Sequence, residues 1–123
     1  MRNMSFSLTT PQILARTKTV TRRTGWTFLK PGDRIRAVKK AMGLKKGEKV
    51  ESLAVIEVTS VRREHLDALL RGKREMATEE VRREGFLLLP RDFVTFFVES
   101  HKGCRPDSVV TRIEFRYVDE AQP

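Results

Sequence analysis

Polar and apolar residues alternate along much of this chain, and the alternation marks strands. Phe6 and Leu8 alternate with Ser5 and Ser7 and predict a short first strand. Thr10-Pro11 reads as an N-cap followed by proline at the first helical position, with Ile13 and Leu14 carrying a short helix to about Arg16. Thr19 to Arg23 is β-branched and alternating, hence strand-like. Pro31-Gly32-Asp33 is a turn, and Ile35, Ala37 and Val38 then form a strand whose other face shows Arg34, Arg36 and Lys39. Lys45-Lys46-Gly47-Glu48 reads as a hairpin tip. The strongest strand runs from Leu53 to Val61. Strict alternation there puts Leu53, Val55, Glu57, Thr59 and Val61 on one face and Ala54, Ile56, Val58 and Ser60 on the other.

Helical spacing takes over next. Leu66, Leu69 and Leu70 predict a helix over residues 64–70. Thr78 reads as an N-cap, with Glu79 and Glu80 in the first turn and Gly85 as the stop. Pro90 starts a third helix with Phe93, Phe96 and Phe97 on one stripe, a pattern that burial alone explains. Val109 to Val118 closes the chain as a strand, with Val109, Thr111, Ile113, Phe115 and Tyr117 opposite Arg112, Glu114 and Arg116. Strands dominate both ends without alternating regularly with helices. The expected class is α+β: a small curved sheet or barrel of about five to six strands with short flanking helices. One domain spans residues 1–118, and 119–123 read as a tail.

Charge changes this picture. The 123 residues carry a net charge of +9. Residues 16–46 hold eleven basic side chains and one acid, Asp33, for +10; the remainder, with fourteen basic and fifteen acidic residues, carries −1. A segregated basic segment is the electrostatic footprint expected of a partner such as RNA, a nucleoside or a nucleotide. The plainer alternative is a basic surface that only keeps the protein soluble. The single cysteine, Cys104, forms no intrachain disulfide, which suits a reducing cytoplasm. Two histidines without ligand spacing argue against a metal, and nothing calls for a cofactor. No apolar run approaches a membrane span.

The residues that can carry chemistry lie in K-T-V-T-R-R. Lys18 precedes or opens a strand in which Thr21 and Arg23 share one face and Arg22 takes the other. A lysine beside a hydroxyl and an arginine can hold a phosphate or carboxylate, or polarise a carbonyl. Neighbouring arginines disfavour its charged form, which can bring it within reach of acting as a base. The plain alternative is a solvated edge strand guarded by charges. Trp26 and Phe28 could offer a stacking face for a base, or simply pack.

Five segments together resemble an ASCH domain, of the PUA-like superfamily: A-R-T-K-T-V-T-R-R, L-K-P-G-D-R-I-R-A-V, V-I-E-V-T-S-V, V-R-R-E-G-F and V-V-T-R-I-E-F. The resemblance covers nearly the whole chain and implies a small barrel related to RNA-binding modules. The family pattern G-x-K-x-x-E-x-R is met by Lys18 and Arg23; Arg16 stands at the glycine and Thr21 at the glutamate. The missing glycine implies a different turn. Lys-x-x-Thr-x-Arg is similar to the small bacterial ASCH proteins that hydrolyse N4-acetylcytidine with a Lys, a Thr and a distant Glu. By that resemblance Lys18 and Thr21 are catalytic candidates. Glu75, just before an expected helix, is preferred as the acid, with Glu84 of R-R-E-G-F as its competitor. Arg16, Arg22, Arg23, Trp26, Lys30, Arg34, Arg36, Lys39 and Lys40 are the binding candidates. The alternatives are an ASCH-type ribonuclease, with lysine in place of a histidine pair, and a non-catalytic RNA-binding module.

Overall fold

The longest strand of the protein is also the one that bends, and its irregularity decides which residues reach the core. The computed structural model describes residues 1–119; residues 120–123, most of the expected tail, lie outside the described residues. In chain order the elements are β1 (Arg2–Ser5), α1 (Thr10–Leu14), β2 (Val20–Arg23), β3 (Arg34–Val38), β4 (Ser52–His65), a 3-10 turn (Leu66–Leu70), α2 (Arg74–Arg83), α3 (Pro90–Ser100) and β5 (Val109–Val118). The strands form one sheet in the order β1-β3-β4-β5-β2. β1 runs parallel to β3, and the other pairings are antiparallel. The sheet curls into a half-barrel with three short helices, an α+β architecture of the small PUA-like barrel type.

β4 and β5 are zipped from Val55↔Val118 to His65↔Val109. Val58 faces Phe115 but Ser60 faces Glu114, so Thr59 is an extra residue, a β-bulge. Strict alternation would group Val61 with Val55. The bulge shifts the phase by one, and Val61 faces Ile113 on the side of Ile56 and Val58. The chain thereby keeps one apolar face along both halves of a fourteen-residue strand.

The two faces of the sheet carry different clusters. Met4, Phe6, Ile35, Ile56, Ile113 and Phe115 fill the curl of the half-barrel. On the other face Val110 packs with Leu66, Val81, Phe93 and Phe97 under the helices. Phe93 and Phe97 are 2% and 4% exposed, as the stripe predicts.

Three local expectations shift. The first strand lies earlier, at Arg2–Ser5; a turn follows because the Thr9 N–H and the Thr10 hydroxyl both donate to the Phe6 carbonyl, and Leu8 is left exposed. Residues 64–65 extend β4, and the leucines after them form a 3-10 turn. α2 begins at Arg74, a turn before Thr78, because Ala77 and Val81 are its buried stripe and the Lys73 carbonyl accepts the Ala77 N–H.

Deleting Thr59 alone should straighten the ladder and keep Val61 opposite Ile113, whereas deleting Thr59 and Ser60 together should turn Val61 away from Ile113 and cost several methylenes of burial, about 3 kcal/mol or more. Thr59→Ala, at an exposed side chain, should stay within about 0.5 kcal/mol. Urea denaturation of the three variants checks this; a double deletion as stable as the single one would show that the register of β4 sets nothing.

Candidate functional site

The site is built on a tight reversal between α1 and β2. Arg16 takes a left-handed conformation (φ 58°), and the next two N–H groups, of Thr17 and Lys18, return to the Gln12 carbonyl at 2.9 and 3.4 Å. The segment is then clamped from two sides. The Thr19 N–H donates to the Arg83 carbonyl at 2.9 Å, and the Tyr117 hydroxyl donates to the Lys18 carbonyl at 2.6 Å. This holds Lys18 just outside β2 with its side chain turned inward.

The Lys18 side chain is 3% exposed. Its ammonium donates to the Glu84 carbonyl at 2.5 Å and to Glu84 Oε1 at 3.0 Å. The other carboxylate oxygen, Oε2, accepts from Arg22 Nη1 at 3.0 Å. Arg22 continues outward: its Nη2 reaches Glu80 at 3.0 Å and Glu64 at 3.3 Å, and Arg112 joins Glu80 through two nitrogens. Arg22 Nε is buried with no hydrogen-bond partner among the described residues. Gly85 (φ 98°) makes the turn that presents both oxygens of Glu84; a Cβ there would meet Gln12 Cγ at 3.0 Å.

Lys18, Arg22 and Glu84 form the floor of a cavity of about 220 Å³. β2 is the last strand of the sheet, so the cavity wraps around its free edge and takes residues from both faces. Thr21 and Arg23 come from the face of the half-barrel cluster, with the Arg23 guanidinium 4.7 Å over the Phe6 ring. Arg22 comes from the helix-covered face. Phe86, Phe93, Phe96 and Phe97 wall the cavity from α3 and the turn before it. Arg23 Nε donates to Thr21 Oγ1 at 3.1 Å.

Burial pushes the Lys18 pKa down from 10.5; Glu84 pulls it back up, and Arg23 and Arg22 lower it further. Desolvation brings Arg23 to about 10, against the pull of Glu84, so it remains cationic at neutral pH. A neutral lysine has two N–H groups and one lone pair. Glu84 supplies two acceptors for the two N–H groups, which leaves the lone pair free to accept a proton. The floor can thus hold a cation, or a base supported by a carboxylate.

The chain matches no protein-family model and no curated protein sequence. Its fold does match solved structures. A protein of the DUF984 family from Enterococcus faecalis aligns at a TM-score of 0.61 and 17% identity over 89% of this chain; this chain spans 66% of that longer one, just under two thirds. The hypothetical protein PH0355 aligns at 0.59 and 17%, covering 95% of this chain and 96% of its own. An ASCH domain from Lactobacillus crispatus aligns at 0.59 and 16%, covering 94% and 78%. This chain has the ASCH-domain fold. At such identities the likeness is one of fold, and the site rests on its own residues.

The ASCH pattern can now be placed residue by residue. Arg16, at the pattern's glycine, takes a left-handed backbone of the kind glycine adopts most easily, at a cost of about 1–2 kcal/mol. Its own guanidinium lies outside the cavity, beside Tyr117 and Asp119. Lys18, Thr21, Arg22 and Arg23 line the cavity together, and the glutamate that joins them is Glu84. Glu75, the preferred candidate, is exposed in the first turn of α2 beside Met76, in a separate groove. The reversal has a simple cause: α2 starts earlier than Thr78, so Glu75 rides on its first turn, while Glu84 at its C-terminal end meets Lys18. Trp26 packs against the half-barrel core with Phe28 at 5.5 Å, away from the cavity. Lys30 is exposed at the turn closed by Asp33. Arg34 pairs with Glu57, which also holds Arg116. Arg36 is half-buried on β3; Lys39 and Lys40 are exposed, with Lys40 near Glu48. Sequence reasoning missed Glu64, Glu80 and Arg112, whose meeting depends on β2, β4, α2 and β5 converging. It also missed the aromatic wall; the Phe stripe was visible, but only as core.

Glu84→Gln should leave Lys18 and Arg22 short of their shared counter-charge in a buried site and cost about 3–5 kcal/mol. Glu75→Gln should change stability by less than about 0.5 kcal/mol. Chemical denaturation measures both, and a silent Glu84→Gln would contradict the network.

Proposed function

We propose that this domain binds an acylated cytidine in the Lys18 cavity and hydrolyses its exocyclic amide. The observation that carries the reading is the Lys18 ammonium, buried, lowered in pKa and held by both kinds of Glu84 oxygen, at the floor of an aromatic-walled pocket. Aromatic walls suit a planar base. The likeness of Lys18-x-x-Thr21-x-Arg23 to the amidohydrolase arrangement supports the same substrate class.

In this reading the attacking oxygen is the Thr21 hydroxyl or a water it holds. Neutral Lys18 takes the proton as the C–O bond forms. Arg23, at the same cavity, faces the oxyanion. As the C–N bond breaks, the Lys18 ammonium returns its proton to the leaving amine. Water completes the reaction to cytidine and the carboxylate, either directly or by cleaving an acyl-Thr21 ester. Glu84 positions Lys18.

A second reading, an RNA-binding module, is favoured by one contact. Ser5, on the cavity wall, donates to the Lys39 carbonyl at 3.2 Å, so the basic stretch at Lys39 and Lys40 adjoins the pocket. The basic side chains there would take phosphates without reading sequence.

Hydrolysis of N4-acetylcytidine, followed by mass spectrometry, tests the first reading. Lys18→Ala and Thr21→Ala should each lose about 10²-fold or more in kcat/KM, and Glu75→Gln should lose nothing. Because the neutral lysine is the active form, the rate should rise with pH along a limb centred below 10.5. A wild type that leaves the substrate intact while binding RNA with a steep salt dependence, weakened by Lys39→Ala and Lys40→Ala, would establish the binding module instead.

A further inference from the structure

At the end of the cavity away from Lys18, two side chains present hydrogen-bond acceptors. The rings that wall the pocket form a row. The Lys18 ammonium lies 5.8 Å from the Phe86 centroid, Phe86 lies 5.5 Å from Phe93, Phe93 lies 6.3 Å from Phe97, and Phe97 lies 4.0 Å from the His101 ring, stacked at 15°. Phe93, Phe97 and His101 are four residues apart along one face of α3 and its C-cap. They therefore span about 12 Å along the axis. Lys18 and Glu84 are buried at one end of this row; Ser100 is exposed and His101 half-exposed at the other, and both line the same cavity. The pocket is longer than the acyl-base that the floor would process.

The polarity of the mouth is fixed by the helix. His101 Nδ1 lies 2.8 Å from the Phe97 carbonyl. A carbonyl only accepts, so Nδ1 carries the proton, and in the neutral ring Nε2 is an acceptor alone. The Ser100 hydroxyl donates to the Phe96 carbonyl at 2.7 Å, which occupies its only proton and leaves its lone pairs. Two neighbouring side chains, each able to donate elsewhere, have their protons tied to the end of one helix. What remains is a pair of acceptors beside a row of rings.

Resting on the acyl-cytidine reading, we infer that Ser100 and His101 are the residues that recognise the ribose cis-diol of the bound nucleoside. The 2′- and 3′-hydroxyls are adjacent donors, the complement of two adjacent acceptors. A phosphate in their place would bring only acceptors to acceptors. A residue inside an RNA strand has lost its 3′-hydroxyl to the backbone and offers one donor of the two. The 2′-hydroxyl is also the group by which a protein separates ribose from deoxyribose.

The test compares N4-acetylcytidine, its 2′-deoxy analogue and the acetylated free base. It uses the wild type, His101→Phe, which keeps a ring on Phe97 but has no Nε2, and Ser100→Ala. The wild type should favour the riboside over the deoxyriboside about ten-fold in kcat/KM, through KM. The variant whose acceptor takes the 2′-hydroxyl should bring that ratio down to about three or below, while the other lowers kcat/KM on both nucleosides alike. His101→Gln, whose side-chain carbonyl can accept, should recover part of the preference. A wild-type ratio near one, or a ratio that survives in both His101→Phe and Ser100→Ala, overturns the inference while leaving the hydrolytic reading standing. If neither the base nor the nucleosides are hydrolysed, that reading fails, and the mouth is then read by binding: the His101 imidazole resonances should shift with cytidine and about ten-fold less readily with 2′-deoxycytidine, and equal shifts overturn the inference.

Discussion

The structure turns on one buried carboxylate. Glu84 accepts Lys18 on one oxygen and on its own carbonyl, and Arg22 on the other oxygen, with less than 5% of each side chain exposed. Two cations around one anion leave a net positive charge out of water, an arrangement that is costly unless other charges share it. Here Glu80 and Glu64 take the far side of Arg22, and Glu80 also holds Arg112. Burial pushes Glu80 upward, and the bonds from Arg112 and Arg22 bring it below the ordinary range, so it stays ionised. The excess charge is therefore balanced toward α2 and left unbalanced toward the cavity, where Lys18 and Arg23 are.

That asymmetry follows from where β2 sits. An interior strand is covered on both edges, and its two faces never meet. β2 is paired only to β5, so its outer edge is open to side chains from both faces. The half-barrel cluster reaches the edge through Phe6 and the helical cluster through Phe93 and Phe97. Neither cluster closes over the other, and the gap between them is the pocket. An edge strand is usually defended by charge; here the same charges face inward.

Much of this could be read from the residues, and the limits have physical causes. The alternation in Val109–Val118 and the Arg34–Val38 strand are visible because each face has its own environment along the whole element. The phase of β4 is not visible beyond Val58, because a bulge adds a residue without changing composition. Lys18, Thr21 and Arg23 are legible as a group because they are neighbours in sequence. The choice between Glu75 and Glu84 is not, since it depends on where α2 begins and on a glycine turn, Gly85, that carries Glu84 to Lys18. The +10 segment divides the same way. Lys18, Arg22 and Arg23 are enclosed, whereas Lys39 and Lys40 remain outside as a basic surface.

The central claim is that Lys18 is a buried lysine poised to lose its proton. Carbon-detected NMR of the lysine side chains during a pH titration addresses it directly. One Cε resonance, absent in Lys18→Arg, should titrate distinctly below 10.5. A Lys18 resonance that titrates at or above 10.5 would mean that the ammonium is solvated, and Lys18 would then be no base at the cavity floor.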